Sequence, residues 1–271
     1  MTSKLLTERK GMVTVLTLNR PEVHNCVDPE TAVALGRAIE DFAADPGQRV
    51  LVLTGAGRAS FCSGADLKRI PDLVTHEYVE RASPMGFARL DPGKPTIAAI
   101  DGYCFAGGME LACWCDFRIA SESAEFGALN RRWGVGFFDG GTQRFPRIVG
   151  QGNALYLVET GVRIDAHRAL AIGLVQEVVP AGQALERALH LAERIAAYPQ
   201  SSLRNDRAAV LATFGVSLED GLALEGSSHG VAGSGGDVED AEMFDRLADF
   251  AARRRPEPPR PPDATRRSSG G

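Results

Sequence analysis

The chain lacks any apolar run near the ~20 residues a membrane span needs, and Met1 to Leu6 carries no secretory signal core. Both absences point to a cytoplasmic protein. Strong charge is also missing: the net charge is −5, too mild for a general nucleic-acid binder. Histidine is scarce, with five in 271 residues. His24, His76, His167 and His190 lie scattered, without a nucleophilic serine or cysteine beside them. Cysteine is odd in number: Cys26, Cys62, Cys104, Cys113 and Cys115 sit mostly inside apolar runs and read as reduced core thiols. Cys113-Trp114-Cys115 is too tight for the usual zinc spacing, so no metal site is expected. What remains is an ordinary globular composition, long enough for one large domain or two small ones.

Apolar runs alternate with helical patterns. Val13–Leu18, Val50–Thr54, Thr96–Ile100 and Phe117–Ala120 read as strands. Asp28 is placed to cap a helix from Pro29 to about Phe42, with Pro29 at its first position. Further helices are expected over Met109–Cys115, Thr142–Val149, Ile164–Ile172 (closed by Gly173), Gln183–Ala197 and Val238–Arg253. Residues 67–92 lack a period and read as mobile helix and loop. Gly226 to Gly236 reads as loop, and Pro, Arg, Ser and Gly dominate beyond Pro256, as in a disordered tail. This order predicts an α/β protein: a core over residues 1–195, a helical region over 196–255 and a tail over 256–271.

Two tempting motifs fail on context. Gly55-Ala56-Gly57 follows a strand, but Ser60 stands where a dinucleotide fingerprint needs its third glycine. Gly226-Ser227-Ser228-His229-Gly230 matches the hydrolase pattern G-x-S-x-G, yet a helical stretch precedes it instead of a strand. Two other glycine stretches carry more: Ser63-Gly64-Ala65-Asp66 and Phe105-Ala106-Gly107-Gly108-Met109-Glu110. Both offer bare N–H groups near a strand end, and the second adds a carboxylate. Converging N–H donors beside a carboxylate suit a reaction that builds charge on a carbonyl oxygen while a proton moves.

The blocks Leu53–Leu67 and Pro95–Ala112 strongly resemble the crotonase (enoyl-CoA hydratase/isomerase) superfamily. Asn19-Arg20-Pro21-Glu22, Gly140–Gly150 and Ala171–Val175 with Val178-Val179-Pro180 continue the resemblance in family order over about residues 5–256. It implies a crotonase-like α/β fold of repeated ββα units with a C-terminal helical region. It also implies an acyl-CoA thioester partner, with coenzyme A part of the substrate and no separate cofactor, and a homo-oligomer, a trimer or hexamer.

Carried over residue by residue, the resemblance makes the N–H groups of Ala65 and Gly107 the oxyanion donors and Glu110 an acid/base group. The family's second glutamate falls at Asn130, which cannot exchange protons and can only orient water or substrate. Asp139, in Phe137-Phe138-Asp139-Gly140, stands near the place of an aspartate in some relatives and is expected to pair with Glu110, the alternative being a helix cap. Val23, His24, Asn25, Asp66, Leu67 and Lys68 are expected around coenzyme A, and Phe250 and Arg253 match the C-terminal helix that reaches its phosphates. Phe87, Trp133, Phe137 and Phe138 are candidates for the acyl pocket. The implied reaction is hydration or isomerisation of an enoyl-CoA. A decarboxylase, dienoyl-CoA isomerase or synthase of the same family, or a non-catalytic acyl-CoA binder, stands as the alternative.

Overall fold

Branched residues at alternate positions build a sheet that is covered on both faces. The computed structural model describes residues 3–228 and 246–248. β1 (Leu5–Lys10) and β2 (Val13–Leu18) form an antiparallel hairpin around Gly11, with Leu5 opposite Leu18. Thereafter the chain repeats one move, sending a strand to the larger sheet and the next to a smaller one. The pairs are β3 (Val50–Gly55) and β4 (Ser60–Cys62), β5 (Thr96–Ile100) and β6 (Tyr103–Phe105), then β7 (Phe117–Ser121) and β8 (Glu125–Gly127). β9 (Ile164–Asp165) completes the smaller sheet, in the order β4-β6-β8-β9. β10 (Glu177–Val179) completes the larger, in the order β1-β2-β3-β5-β7-β10.

The helices are α1 (Pro29–Ala44), α2 (Ile70–Leu73), α3 (Gly107–Trp114), α4 (Gly141–Val149), α5 (Gln151–Thr160), α6 (Ala166–Ala171), α7 (Ala184–Ala196), α8 (Gln200–Ala212) and α9 (Leu218–Ser228). Leu51 and Leu53 of β3 join the core that holds Leu35 and Ile39 of α1, whereas Val50 and Val52 join a second core under α7. That helix presents Ala184, Ala188, Ala192 and Ala196, one small residue per turn and all buried, which lets it lie close to the valine-rich face. Among the described residues no helix is long and apolar enough to cross a membrane.

Asp28 caps α1 as expected, its Oδ1 accepting from the Thr31 N–H at 2.9 Å and the Thr31 hydroxyl at 2.7 Å. Burial would raise its pKa, but these bonds with Lys4 and Arg20 outweigh burial and lower it to about 2. Asp28→Ala is expected to cost about 1–2 kcal/mol in denaturant unfolding at neutral pH. The deficit should shrink as pH falls toward 2, where the wild-type carboxylate itself takes up a proton.

Several expected boundaries move. Ile164 and Asp165 belong to β9, and Asp165 caps the shorter α6 through the Arg168 N–H, so the helix expected from Ile164 begins two residues later. Residues 226–228, expected in a loop, close α9; the rest of the glycine-serine stretch lies outside the described residues. So do the tail and most of the helix expected over Val238–Arg253, of which residues 246–248 are described and helical. Ser228 ends a helix, without the strand that a nucleophile elbow requires.

Candidate active site

Two turns meet where the smaller sheet ends. After β4, Gly64 adopts a left-handed φ of 99° and turns the chain so that Ala65 bridges Val27. After β6, Ala106 takes φ 50° and ψ −121°, a conformation that side chains rarely adopt, and α3 begins at Gly107. A Cβ on Gly64 would stand 2.9 Å from the Gly107 nitrogen, and one on Gly107 would stand 3.3 Å from the Gly64 Cα. The two backbones therefore touch. Neither the Ala65 nor the Gly107 N–H donates to any acceptor among the described residues. Both residues line one cavity of about 210 Å³.

α3 carries Glu110 from that turn into the same cavity, one turn past Gly107. Glu110 is 2 % exposed. Its Oε1 accepts from the Asp139 N–H at 2.9 Å and the Gly141 N–H at 2.8 Å, at the start of α4. Those donors, the helix terminus and Arg144 favour the carboxylate. Burial and the nearby Asp139 outweigh them, so the pKa rises to about 8. Oε2 makes no hydrogen bond among the described residues.

Asp139 lines the cavity and is also buried. Its Oδ1 accepts from the Met85 N–H at 2.9 Å. Burial raises its pKa, opposed by the Ser83 hydroxyl, the Met85 N–H, Arg89 and Arg144. Gly140 occupies the cap position of α4, with no side-chain cap bond, so Asp139 does not cap that helix. Asn130, on a 3₁₀ turn over Leu129–Trp133, completes the polar wall. Its Nδ2 donates to the Val135 carbonyl at 2.8 Å, while the buried Oδ1 has no partner.

Trp133 and Phe138 line the cavity, both largely exposed. Phe87 does not: it is fully buried and packs edge-on against Trp114, as plain core. Phe137 packs against Phe145 and beneath Arg131, outside the cavity. Met85 is a lining residue that sequence patterns did not single out, because it sits in the aperiodic stretch, and Phe105 of the second glycine stretch lines the cavity as well.

The residues expected around coenzyme A form a neighbouring rim. The Ser63 N–H donates to the His24 carbonyl at 3.0 Å, which ties the 21–25 segment to the Ala65 turn. Val23, His24, Leu67 and Lys68 are exposed there. Asn25 is buried, its side chain is spent on the Ala56 and Ser60 carbonyls and the Arg20 N–H, and its own N–H donates to the Arg20 carbonyl, so only its carbonyl is left for a ligand. Asp66 accepts from Arg20 and from the Lys68 N–H. Phe250 and Arg253 lie outside the described residues.

Residues 8–256 match the family model described as enoyl-CoA hydratase/isomerase. The chain belongs to the enoyl-CoA hydratase/isomerase family. Among similar proteins, the (E)-benzylidenesuccinyl-CoA hydratase of Thauera aromatica is 37 % identical over 218 residues, 79 % of this chain and 85 % of that protein. The short-chain-enoyl-CoA hydratase of Clostridium acetobutylicum is 34 % identical over 243 residues, 88 % of this chain and 93 % of that one. The crystal structure of an enoyl-CoA hydratase from Mycobacterium tuberculosis H37Rv superposes with a TM-score of 0.84 at 31 % identity, covering 94 % of this chain and 98 % of that one. The α/β architecture is thus the crotonase fold, and this member of the enoyl-CoA hydratase/isomerase family is an enzyme of that type.

Proposed function

We propose that the cavity holds the thioester end of an enoyl-CoA, the carbonyl oxygen accepting from Ala65 N–H and Gly107 N–H. The observation that carries this reading is two uncommitted N–H donors and two buried carboxyls on one chamber. Burial raises the pKa of both carboxyls, that of Glu110 to about 8, so Glu110 holds a proton at neutral pH and is assigned the acid role, with Asp139 beside it as the base. In hydration, the Asp139 carboxylate takes a proton from water as its oxygen bonds to C3. The displaced π electrons charge the thioester oxygen, which the two N–H groups stabilise. As the enolate collapses, Glu110 delivers its proton to C2. Asn130 contributes its unpartnered Oδ1 as an acceptor that aims the water.

Isomerisation is the second reading, favoured by Asn130 in the family's second glutamate position: one carboxyl removes and returns the proton, and no water is needed. Loss of enoyl absorbance reports hydration, whereas its growth from a 3-enoyl-CoA reports isomerisation. A pure binder would not retain a buried carboxyl with a raised pKa beside the thioester site.

The rim of Val23, His24, Asp66, Leu67 and Lys68 is assigned to coenzyme A, with Lys68 offering an ammonium and residues 21–25 their backbone. Assembly into trimers or hexamers through the 196–255 region is supported by Val210, Leu211, Phe214, Leu218 and Leu222, exposed together on α8, α9 and their connection.

The division of labour is tested on Asp139→Asn. Hydration should fall by about 10². In wild type, kcat/KM should drop as pH rises through about 8, because the donor must hold its proton. In the variant this alkaline limb should move to lower pH, since the Asp139 charge that raises the Glu110 pKa is gone. An unchanged rate and an unmoved limb would leave Asp139 a structural role only.

A further inference from the structure

A second cavity, of about 420 Å³, borders the catalytic chamber at Phe138. Phe138 belongs to both linings and is 54 % exposed; Gly140, two residues on, lines only the second. Its remaining wall is dominated by Arg89, Arg144 and Arg147, a concentration of positive charge found in neither of the other cavities described.

Every hydrogen bond these three guanidinium groups make among the described residues goes to a neutral acceptor. Arg89 donates to the Val79 and Glu80 carbonyls. Arg144 donates to the Ala88 carbonyl at 2.7 Å and the Asp139 carbonyl at 3.3 Å. Arg147 donates to the carbonyl and side chain of Gln143 and lies over the Phe214 ring. Some arginines elsewhere find carboxylates, Arg207 with Asp91 and Asp116 and Arg187 with Glu177, while Arg49 and the buried Arg118 donate to neutral acceptors without lining this cavity. Arg144 is partly desolvated and feels the Asp139 and Glu110 carboxyls, and Arg89 feels Asp139, but both carboxyls line the catalytic chamber and neither lines this cavity. An anion entering there would meet the exposed guanidinium groups of Arg89 and Arg147, planar donors matched to a carboxylate's two oxygens. The N-terminal turn of α4, which contributes Gly140 and Gln143, adds the same sign of field.

We propose that this second cavity is a carboxylate-binding site. Its carboxylate comes either from the far end of the acyl group, reaching past Phe138, or from a free dicarboxylate in solution. The first source makes monothioesters of dicarboxylic acids a preferred substrate class, and rests on the acyl-CoA reading above; the second does not.

The test compares hex-2-enoyl-CoA with hex-2-enedioyl-CoA, which differ in a terminal methyl against a carboxylate. If the acyl group supplies the anion, the dicarboxylic thioester has the higher kcat/KM. The ratio of the two should then fall by about tenfold or more in the Arg89→Gln/Arg147→Gln double variant and recover partly in Arg147→Lys. If the source is free, the ratio is flat, but glutarate raises the thermal midpoint of wild type and not of the double variant. Glutarate stabilisation without turnover of either thioester would sink the acyl-CoA reading while keeping the site. A ratio that is the same in wild type and double variant, with no glutarate effect on either, overturns the proposal.

Discussion

Glu110→Gln is expected to lower hydration by about 10²–10⁴, the usual worth of a positioned acid/base group, with little change in KM. The split between the two constants follows from the geometry. The carboxamide oxygen can still accept from the Asp139 and Gly141 N–H groups, so the α3–α4 contact survives. The thioester would still meet the Ala65 and Gly107 donors. What disappears is the proton that Oε2 would carry, an interaction made only along the reaction path. Stability should respond in the opposite direction to activity. Glu110 has a folded pKa near 8 against an ordinary value of 4.5, so the folded state holds the proton more tightly than the unfolded chain does. Its contribution is complete below about pH 4.5 and lost as pH rises through about 8. The glutamine variant lacks that loss, and its thermal midpoint should fall less than wild type's between about pH 5 and pH 9. A variant with wild-type turnover would remove Glu110 from the chemistry. Because Glu110 and Asp139 act on one reaction, the double variant with Asp139→Asn should be little slower than Glu110→Gln alone.

Sequence patterns exposed the parts of this site that follow a period or a known block, and hid the parts that do not. The strands β3 and β5 are nearly continuous apolar runs because the larger sheet is buried on both faces, and β2 alternates branched residues with threonine; such patterns are visible without any partner. The smaller sheet was invisible. β4, β6 and β8 are three residues each, too short for alternation to register, yet they aim the two turns at one another. Glu110 was legible from its glycines, and Asn130 from its departure from the family block. The pairing of Glu110 with Asp139 was expected from the family blocks, but the Asp139 and Gly141 N–H bonds to Glu110, made where α4 docks on α3, and the unpartnered Oδ1 of Asn130 could not be read from the sequence. Arg144 and Arg147 were seen as parts of a motif, but their common cavity with Arg89 exists only once the 83–89 stretch is laid beside α4.

Gly108→Ala should do the most damage for the smallest chemical change. Helix propensity argues the other way: alanine is favoured over glycine inside a helix by about 1 kcal/mol. Contact decides against it. A Cβ on Gly108 would stand 2.0 Å from the Cys62 carbonyl oxygen and 2.7 Å from its carbon, both backbone atoms that cannot swing aside. The first turn of α3 must then back away from β4, and this separation parts the Gly107 N–H from the Ala65 N–H. A misplacement of about 1 Å costs on the order of 10² in rate, and loss of one oxyanion donor costs about 10²–10³. Turnover should therefore fall by at least about 10³, with the overpacked core losing about 1–3 kcal/mol of stability. Gly152→Ala is the matched control. It sits in the first turn of α5 with nothing within 4 Å of its would-be Cβ, so only propensity applies there. That variant should be unchanged in turnover and equal or slightly higher in thermal midpoint. A Gly108→Ala enzyme with wild-type kcat would show that the α3–β4 contact does not set the spacing of the two donors.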